Sequence, residues 1–262
     1  MWLHNRQGKG EYMKKKGVLL LAAFLGIANV MTVPATNDVS PIKVYQEYEN
    51  DKQYQQMVSE YGEQYGKEFI QEVAESEKTV RIRGGAGNDC YQFVKNIKQT
   101  KNYNCGSTTT LQTLYGLNSA SAVNGSTDSA KIKTLDSEYN IDAQRSMYVY
   151  QVRDALNKYN KGNQKYVYAT GKSMTISQFE DKVATSLTSC KPVVLHARTK
   201  YLSYYGGKAS GHYLSLDCIN RTSDTVRIVD CNNNSSYYGI HYVTLQEAYD
   251  SINAESDRYL IY

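Results

Sequence analysis

A cysteine stands where a polar segment of the sequence becomes helical. Cys105 lies in Tyr-Asn-Cys-Gly, and small hydroxyl residues then lead into Leu111 and Leu114 at helical spacing. A thiol at a helix N-terminus faces unpaired amide N–H groups and the positive end of the helix dipole, which favour the thiolate over a thiol whose free pKa is about 8.5. The segment therefore predicts a nucleophile.

Two groups near this thiol in the chain could stabilise a tetrahedral oxyanion. The backbone amide of Cys105 is the first donor, and Gly106 would let a substrate carbonyl approach the backbone closely. Gln99 lies six residues before the cysteine, and its side-chain amide is the candidate second donor.

A thiolate nucleophile needs a general base, and three histidines follow residue 35: His196, His212 and His241. His196 lies inside an apolar strand pattern, which is typical of a core histidine. His241 follows a polar segment and either borders the cleft or is structural. His212 opens an alternating segment, so we expect it to be the base.

The group that orients the imidazole depends on strand register. If the strands on either side of the turn at residues 220–224 pair with even register, His212, Asp230 and Asn232 share one face of the hairpin. A slip of one residue would put the imidazole on the opposite face. With even register, a carboxylate or an amide can hold the tautomer that deprotonates Cys105.

The sequence contains five cysteines, so at least one thiol has no partner within the chain. We interpret Cys105 as that thiol. The others either form two disulfides or are small buried residues: Cys90, Cys190, Cys218 and Cys231. Cys90 is an alternative nucleophile, since Asp-Cys before an apolar run faintly resembles the nucleophile helix of cell-wall amidases. No CxxC or HExxH spacing supports a metal site, and no cofactor is implied.

Helical periodicity precedes strand alternation along the chain, which predicts an α+β domain with an antiparallel sheet. Helices are predicted at residues 105–115, 147–159, 176–187 and 245–253, and strands at 165–170, 192–197, 212–219, 225–230 and 258–261. A Ser- and Asn-rich loop is expected between the first two helices. The tyrosine- and glycine-containing segment 198–211 lines a substrate groove or is an ordinary surface loop.

The first 35 residues resemble an export signal. Lys14 to Lys16 form a basic region, residues 17–33 are mainly apolar, and Val33-x-Ala35 is a small-residue cleavage site. Because export signals begin near their basic region, we expect the true start at Met13. The pattern predicts a secreted protein with no membrane segment after cleavage.

Charge and periodicity separate the segment 36–87 from the rest. Without residues 1–35 the numbers of basic and acidic residues are equal, so the composition supports neither nucleic-acid binding nor a membrane-surface role. Residues 36–80 hold ten Asp/Glu against four Lys/Arg. Apolar residues from Tyr54 to Val73 recur at helical steps, which predicts an amphipathic arm. This arm, with the glycine-rich linker after it, is either a removable pro-segment or a permanent part of the protein.

Four segments resemble, in order, the signatures of the bacterial C39-like cysteine peptidases, which have the papain-like fold: "NYNCGSTTTLQTLYG", "KPVVLHA", "GHYLSLDCI" and "VRIVDCN". The resemblance covers residues 88–262. It implies a nucleophile, a base, an orienting residue and an oxyanion donor at Cys105, His212, Asp230 and Gln99, respectively.

Two positions depart from the family pattern. Ser107 and Cys231 stand where these families usually have proline. The second departure leaves Asn232, beside Asp230, as an alternative orienting residue.

The resemblance implies a secreted cysteine peptidase that hydrolyses peptide or isopeptide bonds in a peptide or protein substrate. Two alternatives remain: a cell-wall amidase or acyltransferase with the same triad, and a non-catalytic surface binding protein that kept the fold.

Overall fold

The computed structural model describes residues 40–82, 89–162 and 164–262. The predicted signal sequence, the proposed start at Met13 and most of the glycine-rich linker lie outside these residues. The described chain forms two compact units, one ending at Lys78 and the other beginning at Thr79.

The N-terminal unit consists of helices α1 (Pro41–Tyr48), α2 (Lys52–Tyr61) and α3 (Glu63–Ile82). The prediction of a helical segment is correct, but the expected continuous row of apolar residues is interrupted between helices. Asp51 caps α2 by accepting a hydrogen bond from the N–H of Tyr54, and Gly62 separates α2 from α3 with a φ of 91°. Tyr61 is 44% exposed as a result. The buried aromatic rings contact one another edge-on or tilted: Tyr45, Tyr48, Tyr54 and Phe69.

The second unit carries the α+β architecture that the sequence predicts. Its helices are α4 (Cys105–Gly116), α5 (Asp128–Glu138), α6 (Val149–Tyr159), α7 (Ile176–Thr188) and α8 (Leu245–Asn253). Its strands are β1 (Asp89–Tyr91), β2 (Tyr168–Thr170), β3 (Val193–Arg198), β4 (Gly211–Asn220), β5 (Thr225–Asp230), β6 (Gly239–Thr244) and β7 (Tyr259–Ile261). Within the described ranges, no helix combines the length and hydropathy needed to cross a membrane.

The strands form one antiparallel sheet in the order β2-β7-β3-β4-β5-β6. The long strand β4 is central to it: residues 211–216 pair with β3, and residues 218–220 pair with β1. On its other side β4 pairs with β5. The start of β4, which includes His212, is therefore held by β3, and β5 pairs with β4 from Ser215 onward.

Helix α4 is buried along nearly its whole length. Its small hydroxyl side chains bond internal groups, as when Thr109 Oγ1 donates to the carbonyl of Tyr213 in β4 at 3.0 Å. At Gly106 a Cβ atom would lie 2.7 Å from the Cβ of Met147 and 3.3 Å from the ring of Tyr213. The sequence predicts that this glycine gives a substrate carbonyl access to the backbone. In the structure its missing side chain instead allows α4 to pack closely, because protein occupies that space.

A β-bulge at Asp217 sets the register of the β4–β5 hairpin. Next to the turn, Cys218 is opposite Arg227, whereas beyond the bulge Leu216 is opposite Ile228. If the pairing next to the turn continued along both strands, His212 and Asp230 would lie on opposite faces of the sheet. The extra residue shifts the pairing by one and gives the even register that puts them on the same face.

Hydrogen bonds hold the bulged residue. Its carbonyl accepts a 2.7 Å hydrogen bond from the N–H of Gln92, and its buried carboxylate accepts one of 2.9 Å from the N–H of Val94. The same carboxylate pairs with the guanidinium of Arg227. Asp217 thus links β4, β5 and the segment that leads to the cysteine.

Three elements of the second unit differ from the sequence prediction. The first is strand β1, which at three residues is too short to show an alternating pattern. Helix α5 lies where a loop was expected. The sequence does not predict this helix because only Ile132 and Leu135 of it are buried, which leaves its apolar periodicity weak. Strand β6 was also not predicted. Its large side chains Ile240 and Tyr242 are exposed, and it follows a turn-like run of asparagine and serine.

The bulge generates a stability prediction. We expect Asp217→Ala to lower the free energy of unfolding by about 3 kcal/mol, because it leaves the partly buried charge of Arg227 without its partner. Urea denaturation would measure the change. Asp250→Ala, which removes a partly exposed carboxylate of α8, should change the value by less than about 0.5 kcal/mol. Equal effects of the two substitutions would contradict the role given to the bulge.

Candidate active site

Cys105 is the first residue of α4, and the residue is 7% exposed. The preceding Asn104 does not cap the helix with its side chain. That side chain accepts from the N–H of Lys101 at 3.0 Å and donates to Thr100 at 2.9 Å and to Asp136 at 3.0 Å. Asn104 thus fixes the loop before α4 without using the N–H groups of the first turn, whose partial positive charge lies beside the thiol.

The thiol of Cys105 interacts with the imidazole of His212. Burial by itself raises the pKa of Cys105, but the charge and hydrogen bonding of His212, with backbone hydrogen bonds at Tyr213 and Gly106, lower it below its ordinary value. Burial by itself lowers the pKa of His212, but the Cys105 thiolate and the hydrogen bond to Asp230 raise it well above its ordinary value. Both shifts favour a thiolate–imidazolium pair.

Asp230, rather than Asn232, contacts the imidazole. Its Oδ1 lies 2.8 Å from Nε2 of His212 and also accepts a 2.8 Å hydrogen bond from the backbone N–H of Asn232. Its Oδ2 accepts from the hydroxyls of Tyr204 at 3.1 Å and Tyr205 at 2.7 Å. This arrangement leaves Nδ1 of the ring for the thiol.

The segment 198–211 contributes directly to the site through Tyr204 and Tyr205. The ring of Tyr204 stacks on His241 with centroids 3.7 Å apart, so His241 borders the site through this tyrosine. The hydroxyl of Tyr205 also accepts a hydrogen bond from the side chain of Asn232. Neither tyrosine is among the site residues predicted from the sequence. The sequence signal that could have identified them is a pair of adjacent tyrosines shortly before the strand that begins with Gly-His.

Gln99 lies beside the same residues. It is 6% exposed, and its backbone N–H donates a 2.7 Å hydrogen bond to the carbonyl of Cys231. Its Oε1 lies 3.6 Å from the Sγ of Cys231, and that sulfur lies 3.7 Å from the carbonyl oxygen of Cys105. The structure thus brings together all four residues to which the sequence analysis gave catalytic roles.

The two-disulfide alternative is wrong, because Cys190 and Cys231 are free thiols. Cys231 is buried directly after β5, whereas Cys190 is exposed. Cys90 belongs to β1, opposite Ile219, rather than to a helix N-terminus. The strand position removes the feature that made Cys90 an alternative nucleophile.

His196 lies on the opposite face of the sheet from His212, since it pairs with Tyr213 and its neighbour Ala197 pairs with His212. Its ring stacks on Tyr213 at 4.6 Å and on Tyr259 at 6.0 Å. Burial lowers the pKa of His196 to about 3. It is a neutral structural histidine, as its apolar strand pattern predicts.

His212, Asp230 and Cys231 place potential metal ligands within 4.8 Å of one another. The carboxylate of Asp230 already accepts four hydrogen bonds, however, and its contact with His212 holds the imidazole toward Cys105. A metal ion there would have to displace those donors. The bonding of this cluster therefore fits an orienting carboxylate.

The coupled pKa shifts predict the pH dependence of thiol reactivity. Because the pKa of Cys105 is lowered, its thiolate should persist as pH falls through neutrality, whereas an ordinary thiolate with a pKa of about 8.5 is largely lost. We expect iodoacetamide at pH 6 to modify Cys105 much faster than the exposed Cys190, as measured on their separate peptides by mass spectrometry. His212→Ala should abolish that advantage. Reaction of Cys105 only above about pH 8.5 would contradict the pairing.

Comparison with known proteins identifies a family for the chain. The sequence profile described as the Peptidase_C39 like family matches residues 91–257, which include Gln99, Cys105, His212 and Asp230. No curated protein has significant sequence similarity to the chain. Among solved structures, the chain is similar to a cysteine-to-alanine mutant of a prointerpain A fragment from Prevotella intermedia. That similarity has 12% identity and a TM-score of 0.46, and it covers 89% of this chain and 86% of that chain.

The family match covers more than half of the sequence and contains every element that carries the site. It confirms the resemblance found in the sequence and supports a function of peptidase type. The protein belongs to the Peptidase_C39 like family.

Proposed function

We propose that the protein is a secreted cysteine peptidase that hydrolyses peptide or isopeptide bonds by a Cys-His-Asp mechanism. The observation that carries the proposal is the chain of contacts from Cys105 through His212 to Asp230. Opposite pKa shifts of the thiol and the imidazole accompany this chain. A buried thiol without such a partner would be a weak nucleophile, since burial disfavours its thiolate.

In the first step, the Cys105 thiolate attacks the substrate carbonyl carbon, and the carbonyl π electrons move to oxygen. The backbone N–H of Cys105 and the side-chain amide of Gln99 stabilise the resulting oxyanion. Both donors belong to the folded loop and helix of the site, so they need little rearrangement as negative charge develops on the oxygen. The oxyanion then re-forms the carbonyl as the C–N bond breaks.

In the second step, His212 donates its Nδ1 proton to the leaving amine and becomes neutral. The acyl group stays on Cys105 as a thioester. The neutral imidazole then takes a proton from water, the water oxygen attacks the thioester, and the carboxylic acid leaves with the thiolate restored. Asp230 holds the ring in one orientation throughout and favours the imidazolium.

The sequence before residue 36 supports the cellular part of the proposal. Its basic region, apolar run and Val33-x-Ala35 site favour export, which would expose the enzyme to extracellular peptides and proteins. The acidic helices of the first unit are then candidates for a removable pro-segment.

Turnover of quenched fluorescent peptides tests the proposal. We expect Cys105→Ala and His212→Ala to lower kcat/KM by at least about 10³-fold, because each removes a participant in bond making. Gln99→Ala should lower it by about 10²-fold, as expected for loss of one oxyanion donor. Cys190→Ser, which removes an exposed thiol outside the site, is the matched control and should leave turnover unchanged.

Peptidoglycan fragments should be assayed in parallel. Cleavage of their amides without peptide turnover would favour a cell-wall amidase and reject the peptidase proposal. Absence of turnover on both substrates, with an unreactive Cys105, would favour a binding protein.

A further inference from the structure

We infer that Cys231 is a positioning residue that fixes the side-chain amide of Gln99 for oxyanion stabilisation. The inference rests on the proposed function, because it assigns a task to a residue that touches the proposed oxyanion donor. The fold gives this task to a thiol at the position where the family resemblance leads us to expect proline.

Gln99 needs such support because it lies in a segment without regular secondary structure, residues 92–99. Its backbone is anchored by the 2.7 Å hydrogen bond to the carbonyl of Cys231. A proline at that position would keep this carbonyl, but it has no side-chain donor. The thiol therefore adds a contact that fixes the side chain as well as the backbone.

The single S–H proton of Cys231 has several acceptors in reach. The carbonyl of Cys105 lies at 3.7 Å and begins the hydrogen bonding of α4, and the carbonyl of Tyr213 lies at 3.8 Å and already accepts from Thr109. The hydroxyl of Thr109 lies at 3.5 Å and already makes a hydrogen bond by donating to Tyr213. The Nε2 of His212 lies at 4.0 Å, but it is already engaged by Asp230 at 2.8 Å.

The Oε1 of Gln99 lies 3.6 Å from the sulfur and has no other donor among the residues that the structure describes. A buried amide oxygen without a donor is costly, so this acceptor gains most from the thiol proton.

The contact with Cys231 also affects the nitrogen end of the Gln99 side-chain amide. With Oε1 accepting the hydrogen bond from Cys231, both N–H groups of Nε2 remain available as donors. Nε2 has no hydrogen-bond partner within the described part of the chain. The sulfur that holds the amide is also 3.7 Å from the carbonyl oxygen of Cys105, so one thiol lies within reach of both Gln99 and the backbone of the nucleophile. Rotation of the amide would instead present an oxygen to the oxyanion and repel it.

Kinetics of a substitution series would test the inference. We expect Cys231→Ala to lower kcat by about tenfold with little change in KM, since one orienting hydrogen bond is lost. Cys231→Ser keeps a donor and should retain most of the rate. Cys231→Ala should cost nothing further in a Gln99→Ala background, whereas a general structural defect would add to it. Cys190→Ser is the matched control.

Side-chain amide signals in ¹⁵N NMR test the same contact without any substrate. The Gln99 pair, assigned by its absence in Gln99→Ala, should shift in Cys231→Ala and stay nearly unchanged in Cys231→Ser and Cys190→Ser. An unchanged Gln99 signal in Cys231→Ala, or additive rate losses in the double variant, would overturn the inference. If the signal shifts as expected and the wild type hydrolyses neither peptides nor peptidoglycan, the proposed function fails while the contact itself stands.

Discussion

The site depends on a charge pair between a sulfur and an imidazole that are both buried. A helix N-terminus alone stabilises a negative charge by at most about 2 kcal/mol, or roughly 1.5 pKa units, and burial of Cys105 opposes it. The imidazolium of His212 therefore supplies the larger share of the stabilisation. That imidazolium is itself disfavoured by burial, so it requires the carboxylate of Asp230.

The surroundings of Asp230 explain how a fully buried carboxylate is tolerated. Two tyrosine hydroxyls, a backbone N–H and the imidazole occupy its oxygens, so its desolvation is offset by hydrogen bonds from several elements. The imidazole of His212 shares a face of the sheet with this carboxylate only because the β4–β5 hairpin has the right register. The bulge at Asp217 provides that register, and it is anchored to the segment that leads to Gln99 and Cys105. One irregularity in the sheet thus links strand pairing to catalytic geometry.

The sequence alone predicts much of this arrangement, and the remainder has physical causes. Alternation in β4 and β5 singles out His212 and leaves Asp230 and Asn232 as its possible partners, and a helix start identifies Cys105, since these signals are local. The bulge cannot be read from alternation, because Asp217 continues the pattern and its partners lie far away along the chain. Tyr204 and Tyr205 belong to a loop, where no periodicity indicates which side chains face inward. The role of Cys231 depends on contacts with Gln99 that only the folded chain provides.

The most direct measurement is the ultraviolet absorbance of the thiolate as a function of pH, taken as the difference between the wild type and Cys105→Ala. The charge pair predicts thiolate absorbance that persists below pH 7, because the pKa of Cys105 is lowered, and that disappears below pH 7 in His212→Ala. Absorbance that develops only above about pH 8.5 in both proteins would show an ordinary thiol and contradict the account.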